Sequence, residues 1–459
     1  MGTEAVTSRF SSWAQDIQWN AVGQEAAQLL GRYIRVNTAN PPGNEGEAAR
    51  FLSEILSGEG LHADIHESAP GRANLVARLS ATAGPGRRGA PALLLLHHMD
   101  VVPARPERWS AKPFDGAMRN GYVWGRGAID DKGLGVIHLM AFILLKRLGI
   151  PLKRDVIFLA VADEEEGGEF GTQWMIRNHW PEIECQYVWD EGGTGSQGVM
   201  GNRPVFAISV SEKRRLLVRL VASGQSGHAS MAAGTPIDRL INALYSLQRY
   251  RPGIGFNEMT REFFAKIAQT QPFPASWLLR RAAHPVVSPL IARRLARVPS
   301  INAMLRDTLT ATVVNAGQKA NVSPDTAEAV LDARLLPDTD DRGFLEAIRH
   351  VIDDESITVE ATRPPASPPP SPTDSAMYGA LERVIEAHVP DAIITPLQTP
   401  VATDSRFFRH RGAEAYGLIP AILTQGELDT IHGGDERISV ENLVLGTRIA
   451  LHVIAELCV

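Results

Sequence analysis

The chain has 459 residues, 44% of them hydrophobic and 21% charged, with a net charge of −6. A single core does not grow to that length, so two domains are expected. The small acidic surplus excludes the basic signature of a nucleic-acid binder, and only two cysteines, Cys185 and Cys458, exclude a disulfide scaffold.

The first ten residues lack a basic stretch followed by an apolar run, so no secretory leader is expected. No apolar stretch reaches the roughly 20 residues that span a bilayer. The longest, Gly133 to Leu148, carries His138 and Lys146 and reads as a buried helix. Together with the sparse cysteines, this gives the expectation of a cytoplasmic protein with no membrane and no nucleic-acid partner.

From Val22 to about Val210, helix and strand patterns alternate. Ala26 to Ile34 and Ala48 to Leu56 are helical, separated by the turn Asn40-Pro41-Pro42-Gly43-Asn44. Strand-like runs follow at Asn74 to Leu79, Ala92 to His97, Asp155 to Ala162 and Tyr187 to Trp189. Helices fall between them at Gly133 to Leu148 and Phe170 to Asn178. Short apolar strands separated by helices imply an α/β layer with a mostly parallel, buried sheet.

The style changes near Ser211. Leu216 to Val221 is strand-like, and Thr235 caps a helix with Pro236 at its first position and Asp238 near its start. Strands at Thr310 to Val314, Glu328 to Leu335 and Ile357 to Ala361 follow, with a helix at Phe344 to Ile352. This β-α-β-β-α-β order is that of a ferredoxin-like α+β domain. Residues 251–309 exceed that pattern and carry Trp277 and the arginine pairs Arg280, Arg281 and Arg293, Arg294. They read as a helical decoration of the small domain; a membrane-surface segment is the weaker reading, since prolines interrupt the run. After the Pro-rich linker 363–373 the α/β style resumes, with helices at Ala376 to His388 and Val440 to Leu457. The expected organisation is a discontinuous α/β catalytic domain, residues 1–211 and 370–459, interrupted by an inserted small lid or dimerisation domain, residues 212–369.

Five clusters carry chemistry. Leu93 to Pro103 places His98 and Asp100 on one side of a strand end and His97 on the other. Trp124 to Gly133 brings Asp130 after a glycine turn, at a helix entry. Asp163-Glu164-Glu165-Glu166 follows an apolar strand; adjacent acids there need a cation or solvent to coexist. Asp190-Glu191-Gly192 repeats that arrangement, and Asp429 to Ile438 holds His432. Taken one at a time, these are strand caps, an N-cap aspartate or a solvated loop. Together they describe an open nitrogen-and-oxygen metal site.

The series His98-x-Asp-Val-Val-Pro, Gly125-Arg-Gly-x-x-Asp-x-Lys-Gly, Asp163-Glu-Glu-x-Gly-Gly, Asp190-Glu-Gly and His432-Gly-x-Asp-Glu resembles the dinuclear zinc hydrolases of the aminoacylase, glutamate carboxypeptidase, vacuolar carboxypeptidase and succinyl-diaminopimelate desuccinylase family. The resemblance runs from about Asn37 to the C-terminus and is greatest to the vacuolar carboxypeptidase and N-acyl amino acid hydrolase branch, whose small domain is also enlarged. It implies two zinc ions per chain, with cobalt or manganese as substitutes. Asp130 would bridge them, His98 and Glu191 would complete one site, and Glu165 and His432 the other. Glu164 would be the general base and Asp100 would orient His98. It also implies a cis peptide at Asp130–Asp131. Glu166 lengthens the acidic run and Asp190 precedes Glu191, so a slip of one residue is the alternative at each place. His97 stands where relatives have a small residue.

On the substrate side, Gly224-Gln-Ser-Gly-His-Ala-Ser230 resembles the family's small-domain motif. His228 would polarise the scissile carbonyl, often in the neighbouring subunit's site, and Asn321, Arg334 and Arg406 would contact substrate, the arginines as carboxylate forks. The implied activity is hydrolysis of an amide beside a free carboxylate, by a metal-bridging hydroxide with Glu164 as base. The enzyme would be a carboxypeptidase or dipeptidase, or alternatively an N-acyl amino acid amidohydrolase, working as a homodimer joined through the small domain. A non-catalytic binding protein on the same fold would have lost these ligands.

Overall fold

The computed structural model describes residues 17–82, 90–362 and 367–459. The N-terminal decapeptide read above for a leader, and residues 363–366 of the Pro-rich linker, lie outside the described residues.

The first flank of the chain supplies β1 (Ala63–Ala69), β2 (Arg72–Leu79), β3 (Ala90–His98), β4 (Ala117–Arg119), β5 (Tyr122–Trp124), β6 (Arg154–Val161), β7 (Cys185–Ser196) and β8 (Val205–Glu212). The middle supplies β9 (Arg214–Ser223), β10 (Gly227–His228), β11 (Thr308–Ala316), β12 (Val322–Ser323), β13 (Thr326–Leu335) and β14 (Ile357–Ala361). The last flank adds β15 (Ile393–Thr399), β16 (Glu414–Leu423) and β17 (Arg437–Ser439).

Strands from both flanks form one eight-stranded sheet, in the order β1-β2-β6-β3-β7-β16-β8-β15. Its centre, β6-β3-β7-β16, is parallel, and β1 and β2 close one edge antiparallel. Leu93 to Leu96 of β3 are all fully buried, because helices cover both faces. Leu93 and Leu95 join the core under the helices Trp19–Arg35, Lys132–Arg147 and Val440–Cys458. Leu94 and Leu96 pack on the other side with Met175, Ile176 and Phe408. That period of two aims His97 and His98 at opposite faces as the strand ends.

The middle of the chain makes a separate four-stranded antiparallel sheet, ordered β11-β13-β9-β14. The helices Pro236–Arg249 and Asp341–Ile352 share one core with Leu216, Val218 and Leu331, on a single face of this sheet. Burial along β13 therefore alternates strictly. Thr235 caps the first helix as expected: its Oγ1 accepts the Asp238 N–H at 3.2 Å while Asp238 accepts the Thr235 N–H at 3.0 Å. The fold is thus α/β with an inserted ferredoxin-like domain.

The expected strands and helices are present, usually longer by one to several residues. Tyr187 to Trp189 is only the start of the twelve-residue β7. The reading did not include β1, β8, β15 or β16. β8 is buried at every position and so shows no alternation, and β15 and β16 contain Pro396 and Pro420.

Residues 251–309 correct a further expectation. They are helical, but they do not decorate the small domain. The helix Glu258–Ile267 packs on β15, and Phe263, Phe264, Ile291 and Met304 share a core with Val205 of β8 and Ile393 of β15. Lys213 pins the end of the segment, donating to Ala303 O at 3.0 Å and Arg306 O at 2.7 Å. The apolar face of these helices covers a sheet edge that would otherwise be open.

Candidate metal centre and substrate cavity

The C-terminal ends of the parallel strands converge where ligands bind in open α/β sheets. β3 ends in His98, the turn after β6 carries Glu164 and Glu165, and β7 carries Glu191. Asp130 lies just before the helix Lys132–Arg147, and His432 follows the short helix Gln425–Leu428. His432 adopts φ +58 and Asp163, which opens the acidic turn, φ +70. Asp163 holds that conformation by accepting from Arg72 Nη2 at 2.8 Å, Asn40 Nδ2 at 3.1 Å and the Phe170 N–H at 3.1 Å.

Two trios of donor atoms form around Asp130. His98, Asp130 and Glu191 make one; Asp130, Glu165 and His432 make the other, and within each trio the ligand atoms lie within 4.8 Å of one another. The two oxygens of Asp130 face different histidines: Oδ1 is 3.0 Å from His98 Nε2, and Oδ2 is 2.9 Å from His432 Nε2. Glu165 Oε1 lies 3.3 Å from His432 Nε2, yet it is buried without a hydrogen bond. A buried carboxylate oxygen without a hydrogen bond, beside His432 and Asp130, fits a cation. So does the donor chemistry: two imidazoles and three carboxylates suit a pair of borderline divalent ions. The peptide Asp130–Asp131 is cis.

The one-residue alternatives have distinct surroundings. Glu166 is exposed, whereas Glu164 and Glu165 are half-buried beside the trios. Asp190 is buried and engaged with the N–H of Ser405 at 2.9 Å and its hydroxyl at 2.8 Å. It is the Glu191 carboxylate that meets His98 and Asp130.

Electrostatics follow from crowding. Burial raises Glu164 and Glu191 well above the usual carboxylate range, with Asp404 and Glu165 adding to the first and Asp130 and Glu164 to the second. Burial opposes the charge on His98, but Asp100 and Asp130 hold it well above an ordinary histidine. The carboxylates of Asp130 and Glu165 beside it push His432 up to about 10. Such a cluster attracts positive charge at both of its centres.

Asp100 meets His98 chiefly through its main chain. The nearer partner of His98 Nδ1 is the main-chain oxygen of Asp100, at 2.9 Å; the carboxylate is 3.5 Å away. That carboxylate instead accepts the N–H groups of Glu164 at 3.1 Å and Glu165 at 3.2 Å, and Asn40 Nδ2 at 2.9 Å. Asp100 therefore ties the β3 end to the acidic turn. His97 points away, 3.2 Å from the Tyr33 hydroxyl. Its ring fills the space where a Cβ on Gly135 would lie, 2.3 Å from the nearest ring atom. A glycine in that helix is what admits a histidine in place of a small residue.

Sequence reasoning missed Glu436. It is fully buried, pairs with Arg126 Nη1 at 2.6 Å, and accepts the N–H groups of Ile129 at 2.8 Å and Asp130 at 3.1 Å. It lay inside the quoted His432-Gly-x-Asp-Glu motif, so its position was visible but its duty was not. Asn40 was likewise quoted without a role.

A cavity of about 1000 Å³ opens from the trios. Asp130, Glu164, Glu165, Glu191 and His432 line it, as do Arg334 and Arg406. Arg406 donates to Thr403 O at 2.6 Å and lies over the Phe407 ring at 4.2 Å. Arg334 pairs with Asp332 at 2.7 Å. A long apolar wall, with Val199, Phe263, Ile301, Met304 and Leu423, completes the space. His228 and Asn321 are not among the lining residues. They sit exposed around the β10–β12 pair, where Asn321 O accepts the Ala229 N–H at 3.1 Å.

Comparison with known proteins places this geometry. The chain is 32% identical over 369 residues to the N-fatty-acyl-amino acid synthase/hydrolase of Xenopus tropicalis, covering 79% of this chain and 71% of the relative. It is 28% identical over 363 residues to a probable carboxypeptidase S-like protein of Dictyostelium discoideum, covering 76% and 68%. Its fold matches an M20 family metallo-carboxypeptidase from Sulfolobus solfataricus with a TM-score of 0.69 at 19% identity, over 94% of this chain and 98% of that one. The model of peptidase family M20/M25/M40 matches residues 94–456, a span that contains both donor trios, and the chain belongs to that family.

Proposed function

We propose that the protein is a two-zinc hydrolase that cleaves the amide bond of N-acyl amino acids bearing an apolar acyl group. The observation that carries this reading is the cavity, which joins the donor trios, two arginines and an apolar wall in one space of about 1000 Å³. An acyl chain suits the wall, and a carboxylate suits a guanidinium fork. The activity named for the Xenopus relative is of this kind.

His98, Asp130 and Glu191 would hold one ion, and Asp130, Glu165 and His432 the other. Bound there, zinc supplies Lewis acidity toward water and the substrate carbonyl. Glu164, which lines the cavity beside the donor trios, takes the proton from the attacking water and returns it to the leaving amine. Arg406 and Arg334 bind the substrate carboxylate, which fixes the amide relative to Glu164. Arg334 belongs to the small domain and Arg406 to the large one, so closure of the two completes the grip.

His228 and Asn321 act on the carbonyl and the substrate from the neighbouring subunit. This explains their exposure away from the cavity of their own chain. A homodimer through the small domain is supported by β11, an edge strand whose Val313 and Val314 are exposed. Cytoplasmic residence is supported by the two buried free cysteines.

A carboxypeptidase or dipeptidase activity is the second reading, favoured by the arginine forks beside the trios and by the Dictyostelium relative. The test is metal content per chain, with a panel of long-chain N-acyl amino acids, N-acetyl amino acids and dipeptides, before and after chelation. About two zinc ions per chain and chelator-sensitive release of amino acid, fastest from long acyl chains, is the expected result. Preference for dipeptides moves the protein to the second reading, and hydrolysis that survives full metal removal overturns both.

A further inference from the structure

Phe263, Ile301 and Met304 of the cavity wall belong to a segment with an unusual outer surface. Between Glu262 and Asp307 the sequence contains no acid, but Lys266, Arg280, Arg281, Arg293, Arg294, Arg297 and Arg306. This basic stretch lies in a chain of net charge −6. Large apolar side chains are exposed among the arginines: Phe273 is 81% exposed, Leu290 72% and Val286 68%, with Trp277 and Val298 also outside.

The helix Ser288–Leu295 shows how the two faces divide. Val287 and Ile291 turn inward to the core on β8 and β15. Leu290, Arg293 and Arg294 are exposed, at the spacing of one helical stripe, and Arg297 continues it one turn on. Trp277 carries the Arg281 guanidinium over its ring at 4.7 Å, so aromatic and cation share a surface there too. None of the five exposed arginines forms an ion pair among the described residues. Immediately after Val298, the helix Pro299–Leu305 supplies Ser300, Ile301 and Met304 to the cavity. Ser300 is exposed, so this wall reaches the surface beside the patch.

We propose that residues 273–298 dock the enzyme on an anionic phospholipid surface, with the cavity mouth beside the contact. Arginine beside tryptophan, phenylalanine and leucine is the composition that enters a bilayer interface and pairs with lipid phosphates. A second copy of the chain is a poorer occupant, because a two-fold contact would set the same five arginines against each other. The prolines that interrupt the run do not prevent docking, since the patch is assembled from short helices on a rigid sheet edge. This revises the expectation of no membrane partner, without a membrane-spanning helix: no described helix is long and apolar enough to cross a bilayer. If the function proposed above holds, the patch also serves capture, since a long-chain N-acyl amino acid resides in such a surface with its carboxylate outward.

The experiment is co-flotation of the full chain with vesicles of phosphatidylcholine alone and of phosphatidylcholine mixed with phosphatidylserine. No turnover is read, so the result stands whether or not the proposed activity is correct. Binding to the mixed vesicles, much weaker binding to neutral ones, and loss by at least about tenfold on charge reversal of Arg280, Arg281, Arg293 and Arg294 to Glu is the expected result. The milder pair Trp277→Ser and Leu290→Ser, at exposed positions, tests the apolar contribution without placing acids on the surface, and should also weaken binding. Thermal melting of each variant checks that it is folded. Equal partition of wild type and both sets of variants overturns the proposal. So does self-association, measured by sedimentation, without vesicle binding.

Discussion

Glu436 accepts the backbone N–H of Asp130 at 3.1 Å, across 306 positions of the chain. The same carboxylate takes the N–H groups of Gly127 and Ile129 and the Arg126 guanidinium, so one buried acid sets the turn that presents Asp130 to both histidines. Glu436→Gln keeps the size of the side chain but weakens this grip. Supporting groups of this sort are worth about 10–100-fold in metal affinity. Metal retained after dialysis against a graded chelator should fall by that factor while the fold persists. Unchanged retention would show that the turn is set by the rest of the chain.

Glu164→Gln separates chemistry from binding. Glu164 is in neither donor trio, so the variant should keep its metal, whereas turnover should fall by about 10²–10⁴-fold, the usual contribution of a general base. Metal content and kcat are measured on the same sample. A metal-replete variant at the wild-type rate removes Glu164 from the mechanism.

Ile301→Trp fills the apolar wall beside Met304 and Phe263. Long acyl substrates should lose about tenfold or more in kcat/KM, whereas N-acetyl substrates should not, because they do not reach the wall. A parallel loss on both substrates would place the acyl chain elsewhere.

Stability should fall in mild acid because of buried neutral histidines. Burial lowers His138 to about 3, and burial with Arg448 nearby lowers His388 to about 4; His452, 2.8 Å from His388, lies at about 3. The unfolded chain titrates these groups near 6.5 and so takes up protons first. Their contribution is complete above about pH 6.5 and is lost as the pH falls from there toward 4. Denaturant midpoints across that window should decline, and His388→Asn should make the decline shallower. An identical slope in the variant would assign acid lability to other groups.

Much of the site was legible in the sequence. His98 ends a strand, Glu164 and Glu165 follow one and Asp130 follows a glycine turn, and the ends of buried strands are where a sheet gathers polar groups. Chemistry compressed into short motifs survives reading in one dimension. The small domain was legible for a different reason: one open sheet face leaves the clean alternation seen along β13.

The tertiary structure alone decided the rest. β8 is buried on both faces and carries no alternation, so it could not be told from any other apolar run. Residues 251–309 were expected to be a helical decoration of the small domain, and only packing on β15 made them part of the cavity wall. Whether Asp190 or Glu191 faces the trios depended on which of them Ser405 engages, 215 positions away. His228 and Asn321 are not among the residues that line the cavity of their own chain, an arrangement that folding, not their local motifs, sets. Local sequence determines which groups a segment offers, because backbone periodicity and turn chemistry act over a few residues. Which groups meet is determined by the burial of surfaces far apart in the chain, and that is a property of the folded whole.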